Sequence, residues 1–161
     1  MNGSSRSWFH IFEALAPSFH VVAWDAPSFG ASDVFGDKIE DYVDAAKALM
    51  QAVEIREAIV VGHSMGGVIA TQLAADRECS TAGLVLSSTH LGFGLPAGAP
   101  LMARYATRID NIKSKGVDTA YGLERAKRST PEGTSQAVIR FLAEIATGAR
   151  IGVVAERRPE A

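Results

Sequence analysis

The fold is decided by one stretch of the sequence, Ile59-Val60-Val61-Gly62-His63-Ser64-Met65-Gly66-Gly67-Val68-Ile69-Ala70. An apolar run ends at a glycine, a serine follows, and after two more glycines a run of small residues predicts a helix. G-x-S-x-G between a strand and a helix is the context that gives this motif a catalytic meaning. The Ser64 hydroxyl is then expected to stand clear of the sheet, with the Met65 N–H pointing into the same space. We predict a steric reason for the glycines at 62 and 66, because a Cβ at either position would meet a neighbouring strand or helix.

The composition indicates an ordinary globular chain. With 161 residues, 47% of them hydrophobic, it can bury one sizeable core. A net charge of -2 and a pI near 6.1 give no electrostatic argument for binding nucleic acid or an anionic membrane. The single cysteine, Cys79, excludes an internal disulfide and favours a cytoplasmic location. No apolar run reaches the roughly 18 residues of a membrane span, and the N-terminus shows no signal-peptide pattern, so neither is expected.

Strands and helices are predicted to alternate through residues 1–90. The predicted elements are a helix over 7–15, a strand over 19–24, a loop over 25–33, a helix over 38–53 capped by Asp37, a strand over 57–62, a helix over 64–77 and a strand over 82–88. This alternation predicts an α/β fold in which crossover helices join parallel strands. A Gly/Pro-rich link over 91–100 follows, and beyond it only helical patterns occur. We therefore expect a core over 1–90 and a helical lid segment over 91–161.

Three motifs, in order, resemble those of the α/β-hydrolase superfamily. Residues 2–8, Asn-Gly-Ser-Ser-Arg-Ser-Trp, are similar to the tail of its H-G-x-G oxyanion loop. The next motif, D-x-P-x-x-G-x-S-D, is matched by Asp25, Pro27, Gly30, Ser32 and Asp33. The third is the G-x-S-x-G nucleophile elbow itself, and the segment 91–161 is similar to a helical lid. More loosely, Leu84–Thr89, Arg108-Ile109 and Gly116 resemble the 3-oxoadipate enol-lactonase subgroup.

The resemblance implies a partial α/β-hydrolase fold that hydrolyses a carboxylic ester or lactone through an acyl-serine, with no cofactor and no metal. Ser64 would be the nucleophile, and the Met65 N–H would be one donor of the oxyanion hole. Met1 aligns with the residue whose N–H completes that hole. His90 and Arg108 are predicted substrate-binding residues. His90 follows a strand at the expected active-site edge, and Arg108 belongs to a basic helical segment that would favour a carboxylate-bearing substrate.

The chain also departs from the pattern of the superfamily. Members have strands before the oxyanion loop, and their catalytic acid and histidine follow strands beyond the lid, in the order serine, acid, histidine. We therefore expect this chain to be the middle section of a hydrolase. On its own it is expected to hydrolyse esters poorly or not at all. The histidine of the elbow, His63, is expected to be structural, and Asp33 to fix its loop. A family strand would lie between 19–24 and 58–62, so unpaired sheet edges and marginal stability are expected.

Two other functions remain open at this point. One is a hydrolase fold kept for binding after catalysis was lost, and the other is acyl transfer or perhydrolysis through the same serine. A nucleotide site is disfavoured, because Gly62, Gly66 and Gly67 do not have the spacing of G-x-G-x-x-G and no P-loop sequence is present. The expected partner is a small-molecule ester or lactone, with no nucleic acid and no membrane.

Overall fold

The computed structural model describes residues 4–36, 38–90, 99–100 and 102–148. After a 3-10 turn over Ser5–Trp8, the elements are α1 (Phe9–Leu15), α2 (Ile39–Ala52), β1 (Glu57–His63), α3 (Met65–Ala75), β2 (Ser80–Ser87), α4 (Ala103–Lys115), α5 (Thr119–Ser129) and α6 (Gln136–Thr147). The described residues form two compact units: a sheet unit that contains those of 35–100, and a helical unit that contains those of 4–34 and 102–148. The predicted cap of α2, Asp37, lies outside the described residues. The predicted division of the chain at His90 stays a prediction.

The sheet unit contains one parallel pair of strands. β1 pairs with β2 in a register that sets Val60 opposite Leu84 and His63 opposite Ser87. The connection between them runs through α3, since parallel strands need a crossover and cannot be joined by a tight turn. The predicted α/β fold with parallel strands is therefore confirmed.

The core of the sheet unit lies between α2 and α3 and between α3 and one face of the strands. Along β1, Ala58, Val60 and Gly62 are the more buried positions, and the residues between them are exposed. Side chains of a strand alternate between two faces, so the first set faces the helical layer. The buried apolar residues of the two helices are Tyr42, Val43, Ala46, Ile69, Ala70 and Leu73. Burying an aliphatic side chain the size of Leu or Ile contributes roughly 1.5–3 kcal/mol, which makes this layer the main source of stability in the unit.

The other face of the strands is apolar and open. Ile59 is 55% exposed and Val85 is 50% exposed. Because large aliphatic side chains gain from burial, this face contributes little to the stability of the sheet unit as described.

A partly exposed ion-pair cluster ties α2 to the turn after α3. The Lys47 Nζ donates to Asp76 Oδ2 at 2.8 Å and to Glu78 Oε2 at 2.7 Å. These hydrogen bonds raise the pKa of Lys47, and the bond from Lys47 lowers the pKa of Asp76. The cluster therefore holds both partners in their charged forms and fixes the end of α3 to α2.

The helical unit has its own small core between α5 and α6. Ala126, Ile139 and Ala143 are buried there, with Leu123 and Leu142 packed against them. The first turn of α5 is capped by Asp118, whose Oδ1 accepts the Tyr121 N–H at 2.8 Å. Such a cap satisfies a backbone donor that has no partner inside the helix.

One predicted element is not formed. Residues 19–24 have no strand assignment, so the prediction of a strand there is wrong. An apolar, β-branched run favours extended backbone, but a strand also needs a partner for its backbone groups. Among the described residues, only β1 and β2 form a ladder. None of the described helices is long and apolar enough to cross a membrane.

Candidate active site

Ser64 occupies the junction between β1 and α3. The strand ends at His63, the helix begins at Met65, and Ser64 between them has φ 55° and ψ -122°. Positive φ is uncommon for a residue other than glycine, and it costs of order 1–3 kcal/mol at a functional site. The sharp turn predicted from G-x-S-x-G is therefore present, with the serine at its apex.

The backbone of Ser64 is fixed on both sides. Its N–H donates to the carbonyl oxygen of Ser87, at the end of β2, over 2.9 Å. Its own carbonyl oxygen accepts the Gly67 N–H at 3.0 Å and lies 3.2 Å from the Thr89 Oγ1. The strained turn is thus held by the neighbouring strand and by the first turn of α3.

The glycines around Ser64 differ in how much room they have. A Cβ at Gly62 would collide with the backbone of Gly66 and Gly67, as predicted. At Gly66, by contrast, a Cβ would have no described atom within 4 Å, so the steric reason predicted for this glycine is not found among the described residues. The crowded second position is Gly67, where a Cβ would collide with the side chain of Thr89. In the first turn of α3 it is therefore Gly67 that faces Thr89. Gly66, the second glycine of G-x-S-x-G, does not.

The predicted site residues are only partly brought together. Ser64 and Met65 are adjacent at the turn, and the exposed His63 places its Nδ1 3.2 Å from the Ser87 Oγ, in keeping with a structural role. His90 is exposed and directly follows Thr89 at the carboxyl end of β2. Met1 lies outside the described residues. No base is assigned to Ser64 from the described contacts.

Sequence reasoning missed the contribution of the last residue of β2 and of the residues that follow it. Ser87 and Thr89 supply the contacts that fix Ser64, and the available signal was the polar run Ser87-Ser88-Thr89 at the end of the strand beside the elbow. Parallel strands bring their carboxyl ends to the same edge of a sheet, so polar residues at that position are candidates for the site.

The loop over 25–33 is organised by Asp25 within the helical unit. Its carboxylate accepts the Ser5 N–H at 2.7 Å and the Ala31 N–H at 2.9 Å. Burial raises the pKa of Asp25, but the two backbone hydrogen bonds outweigh it and leave the pKa below its usual value. The backbone carbonyl of Asp33 accepts the Ser28 N–H at 2.9 Å. The loop-fixing role expected of Asp33 as an aspartate stays a prediction. These hydrogen bonds hold the loop over 25–33 in place.

Arg108 lies in the helical unit beside a second arginine. Its Nε and Nη2 donate to the Tyr121 Oη at 3.3 and 3.1 Å, and the group is half-buried. Arg125 follows Tyr121 by one turn of α5. Burial first, and then the positive charge of Arg108, lower the pKa of Arg125. Two half-buried guanidinium groups therefore lie near one phenol.

Comparison with known proteins identifies the fold family. The model of the "Alpha/beta hydrolase family" matches residues 1–158. The chain belongs to the alpha/beta hydrolase family. Its resemblance to that family, drawn from the three motifs, is therefore confirmed.

The chain is similar to only part of each of two curated relatives. It is 35% identical over 94 residues to the dihydrolipoyllysine-residue acetyltransferase component of the acetoin cleaving system of Cupriavidus necator, covering 57% of this chain and 25% of that protein. It is 31% identical over 86 residues to the pimeloyl-[acyl-carrier protein] methyl ester esterase of Yersinia pseudotuberculosis, covering 53% of this chain and 32% of the esterase. The chain thus spans a third or less of the length of these two relatives.

The solved structure of an esterase from Exiguobacterium antarcticum shows the same fold. It superposes with a TM-score of 0.80 at 14% identity, covering 96% of this chain and 60% of the esterase chain. At that level of identity the likeness concerns the fold alone.

Proposed function

We propose that this chain carries the nucleophile of a serine hydrolase that cleaves a carboxylic ester or lactone. The observation that carries the proposal is the conformation of Ser64, held at φ 55° between a parallel strand and the helix that follows it. A strained serine with its backbone fixed by Ser87, Gly67 and Thr89 has the geometry of a nucleophile elbow. The esterase name of the Yersinia relative supports an ester substrate.

The proposed reaction proceeds in two balanced steps. The Ser64 Oγ attacks the carbonyl carbon while a general base takes its proton, and the bond to the leaving alkoxide breaks as that oxygen receives the proton. Water then attacks the acyl-serine, the bond from the acyl carbon to Oγ breaks, and Ser64 regains a proton. The Met65 N–H is the proposed donor to the developing oxyanion. One such donor is worth about 10²–10³ in rate.

The direct test is covalent labelling of Ser64. The purified chain is treated with an alkyl fluorophosphonate, and the modified peptide is identified by mass spectrometry. An activated serine is expected to be labelled at one equivalent on the peptide that contains Ser64. Absence of the adduct from that peptide contradicts the proposal and favours the alternative of a hydrolase fold kept for binding.

A second candidate function is acyl transfer. The Cupriavidus relative is named as an acetyltransferase component, which favours an acceptor other than water for the acyl-serine. An alcohol or thiol would then attack the acyl carbon and release Ser64 in the same way. Adding a thiol acceptor to an ester assay separates the two functions, because a transferase yields thioester where a hydrolase yields acid.

We further propose that the substrate carries a carboxylate recognised by Arg108. Replacing Arg108 by methionine is expected to lower kcat/KM for p-nitrophenyl hemisuccinate by about tenfold or more, the effect of losing one hydrogen bond to a charged group. The value for the neutral p-nitrophenyl butyrate should change little. The matched control is Arg128→Met, because Arg128 is exposed and forms only a long contact of 3.6 Å with Glu124 among its described ion pairs. Equal losses for the two esters would contradict this specificity.

A further inference from the structure

Thr89 is placed to control one particular peptide group of the elbow. Its Oγ1 lies 3.2 Å from the Ser64 carbonyl oxygen and 3.2 Å from the Ser87 carbonyl oxygen. A hydroxyl has a single proton, so it bridges the two carbonyls or alternates between them. Either arrangement ties the end of β2 to the residue at the apex of the turn.

The carbonyl that Thr89 contacts belongs to the Ser64–Met65 peptide. A trans peptide group is planar, and its C=O and N–H point to opposite sides. Any rotation that moves the Ser64 carbonyl oxygen therefore turns the Met65 N–H by the same angle. A hydrogen bond to the carbonyl also polarises the peptide group, which strengthens its N–H as a donor.

The packing around Thr89 shows that this contact is closely fitted. The side chain of Thr89 fills the space that a Cβ at Gly67 would need, with its Cβ and Cγ2 each 2.7 Å from that position. Gly67 in turn donates its N–H to the same Ser64 carbonyl oxygen at 3.0 Å. The absence of a side chain at Gly67 thus lets Thr89 reach the carbonyl beside the helix N–H.

We propose that Thr89 is a positioning residue that orients the Met65 N–H toward the developing oxyanion. The inference rests on the proposed nucleophilic role of Ser64. It adds that the hydroxyl of Thr89, acting through the shared peptide, sets the strength and direction of the oxyanion donor. The methyl group of Thr89 contributes packing only.

The test compares two variants of Thr89 with a matched control. Thr89→Val keeps the shape and removes the hydroxyl, whereas Thr89→Ser keeps the hydroxyl. The control is Thr71→Val, because Thr71 lies on α3, the helix that begins at Met65. Its hydroxyl donates to the Gly67 carbonyl at 2.8 Å, one hydrogen bond away from the Ser64–Met65 peptide. Each variant is assayed for its rate of phosphonylation at Ser64, its unfolding midpoint and the amide chemical shifts of Met65.

Thr89→Val is expected to slow phosphonylation about three- to tenfold, the effect of one neutral hydrogen bond. Thr89→Ser should restore the rate to within about twofold, and Thr71→Val should leave it unchanged. The Met65 amide shifts should move in Thr89→Val by more than in Thr71→Val. Equal losses in the two Thr89 variants, or an equal loss in Thr71→Val, would overturn the inference, since packing alone would then explain them.

The two proposals fail in different ways. If the wild-type chain is not phosphonylated at Ser64, the proposed function fails, and the Met65 amide shifts still decide whether Thr89 controls the peptide. If the wild-type chain reacts and Thr89→Val reacts equally fast, the role of Thr89 is wrong and the proposed function stands.

Discussion

Replacing Ser64 by alanine is expected to abolish phosphonylation of the elbow and to remove the ester turnover that the chain has on its own. The side chain at the apex is the only atom group proposed to form a bond to the substrate, so its loss leaves just oxyanion stabilisation and binding. In serine hydrolases with complete machinery such a loss is on the order of 10⁴-fold or more. The measurement is the initial rate with a p-nitrophenyl ester, with labelling as the readout if turnover is slow.

The chain offers a matched control for this substitution in Ser88. It too has a positive φ, of 50°, and it is exposed just after β2. Ser88→Ala is expected to keep both labelling and turnover close to wild type. Persistence of the adduct in Ser64→Ala, or its disappearance in Ser88→Ala, would show that a different serine reacts.

Gly62→Ala is expected to give the largest loss of stability among single methyl additions near the elbow. The added Cβ would collide with the carbonyl group of Gly66 and the Cα of Gly67, which are backbone atoms and cannot turn aside. Overpacking of this kind costs about 1–3 kcal/mol, and sometimes more. Urea denaturation followed by circular dichroism measures the change in the free energy of unfolding. Labelling of Ser64 should fall as well, because relief of the clash moves the first turn of α3.

The same methyl group at Gly66 should behave in the opposite way. It would meet no described atom within 4 Å, and Gly66 lies in the first turn of α3. Alanine is favoured over glycine in a helix by up to about 1 kcal/mol. Gly66→Ala is therefore expected to be neutral or stabilising. If the two variants were equally damaged, the crowding at Gly62 would not be the reason for its glycine.

The elbow could be predicted from the sequence because its causes are local. The apolar run before Gly62 and the small residues after Gly66 specify a strand and a helix at fixed positions, and the turn between them leaves Ser64 at the apex. The parallel pairing of β1 and β2 followed from the intervening helix. These features depend on short-range periodicity and on the geometry of crossovers.

The features that could not be predicted depend on partners that are distant in sequence. Residues 19–24 have the composition of a strand, but without a paired strand they form none. The roles of the glycines were misassigned at Gly66 because the crowding at Gly67 comes from Thr89, on another strand end. The contact between Arg108 and Tyr121 likewise joins two helices, so the sequence indicated a basic segment without showing which cation lies beside a phenol.

The backbone conformation of Ser64 lowers the stability of the fold while it serves the proposed function. Glycine adopts φ near 55° without the penalty that a side chain incurs, so Ser64→Gly would relieve strain in the fold while it removes the proposed nucleophile. Selection for thermal tolerance alone would drive this position away from serine. A library of elbow variants enriched for high melting temperature should therefore collect inactive members at position 64, which makes an activity screen necessary at each round of stabilisation.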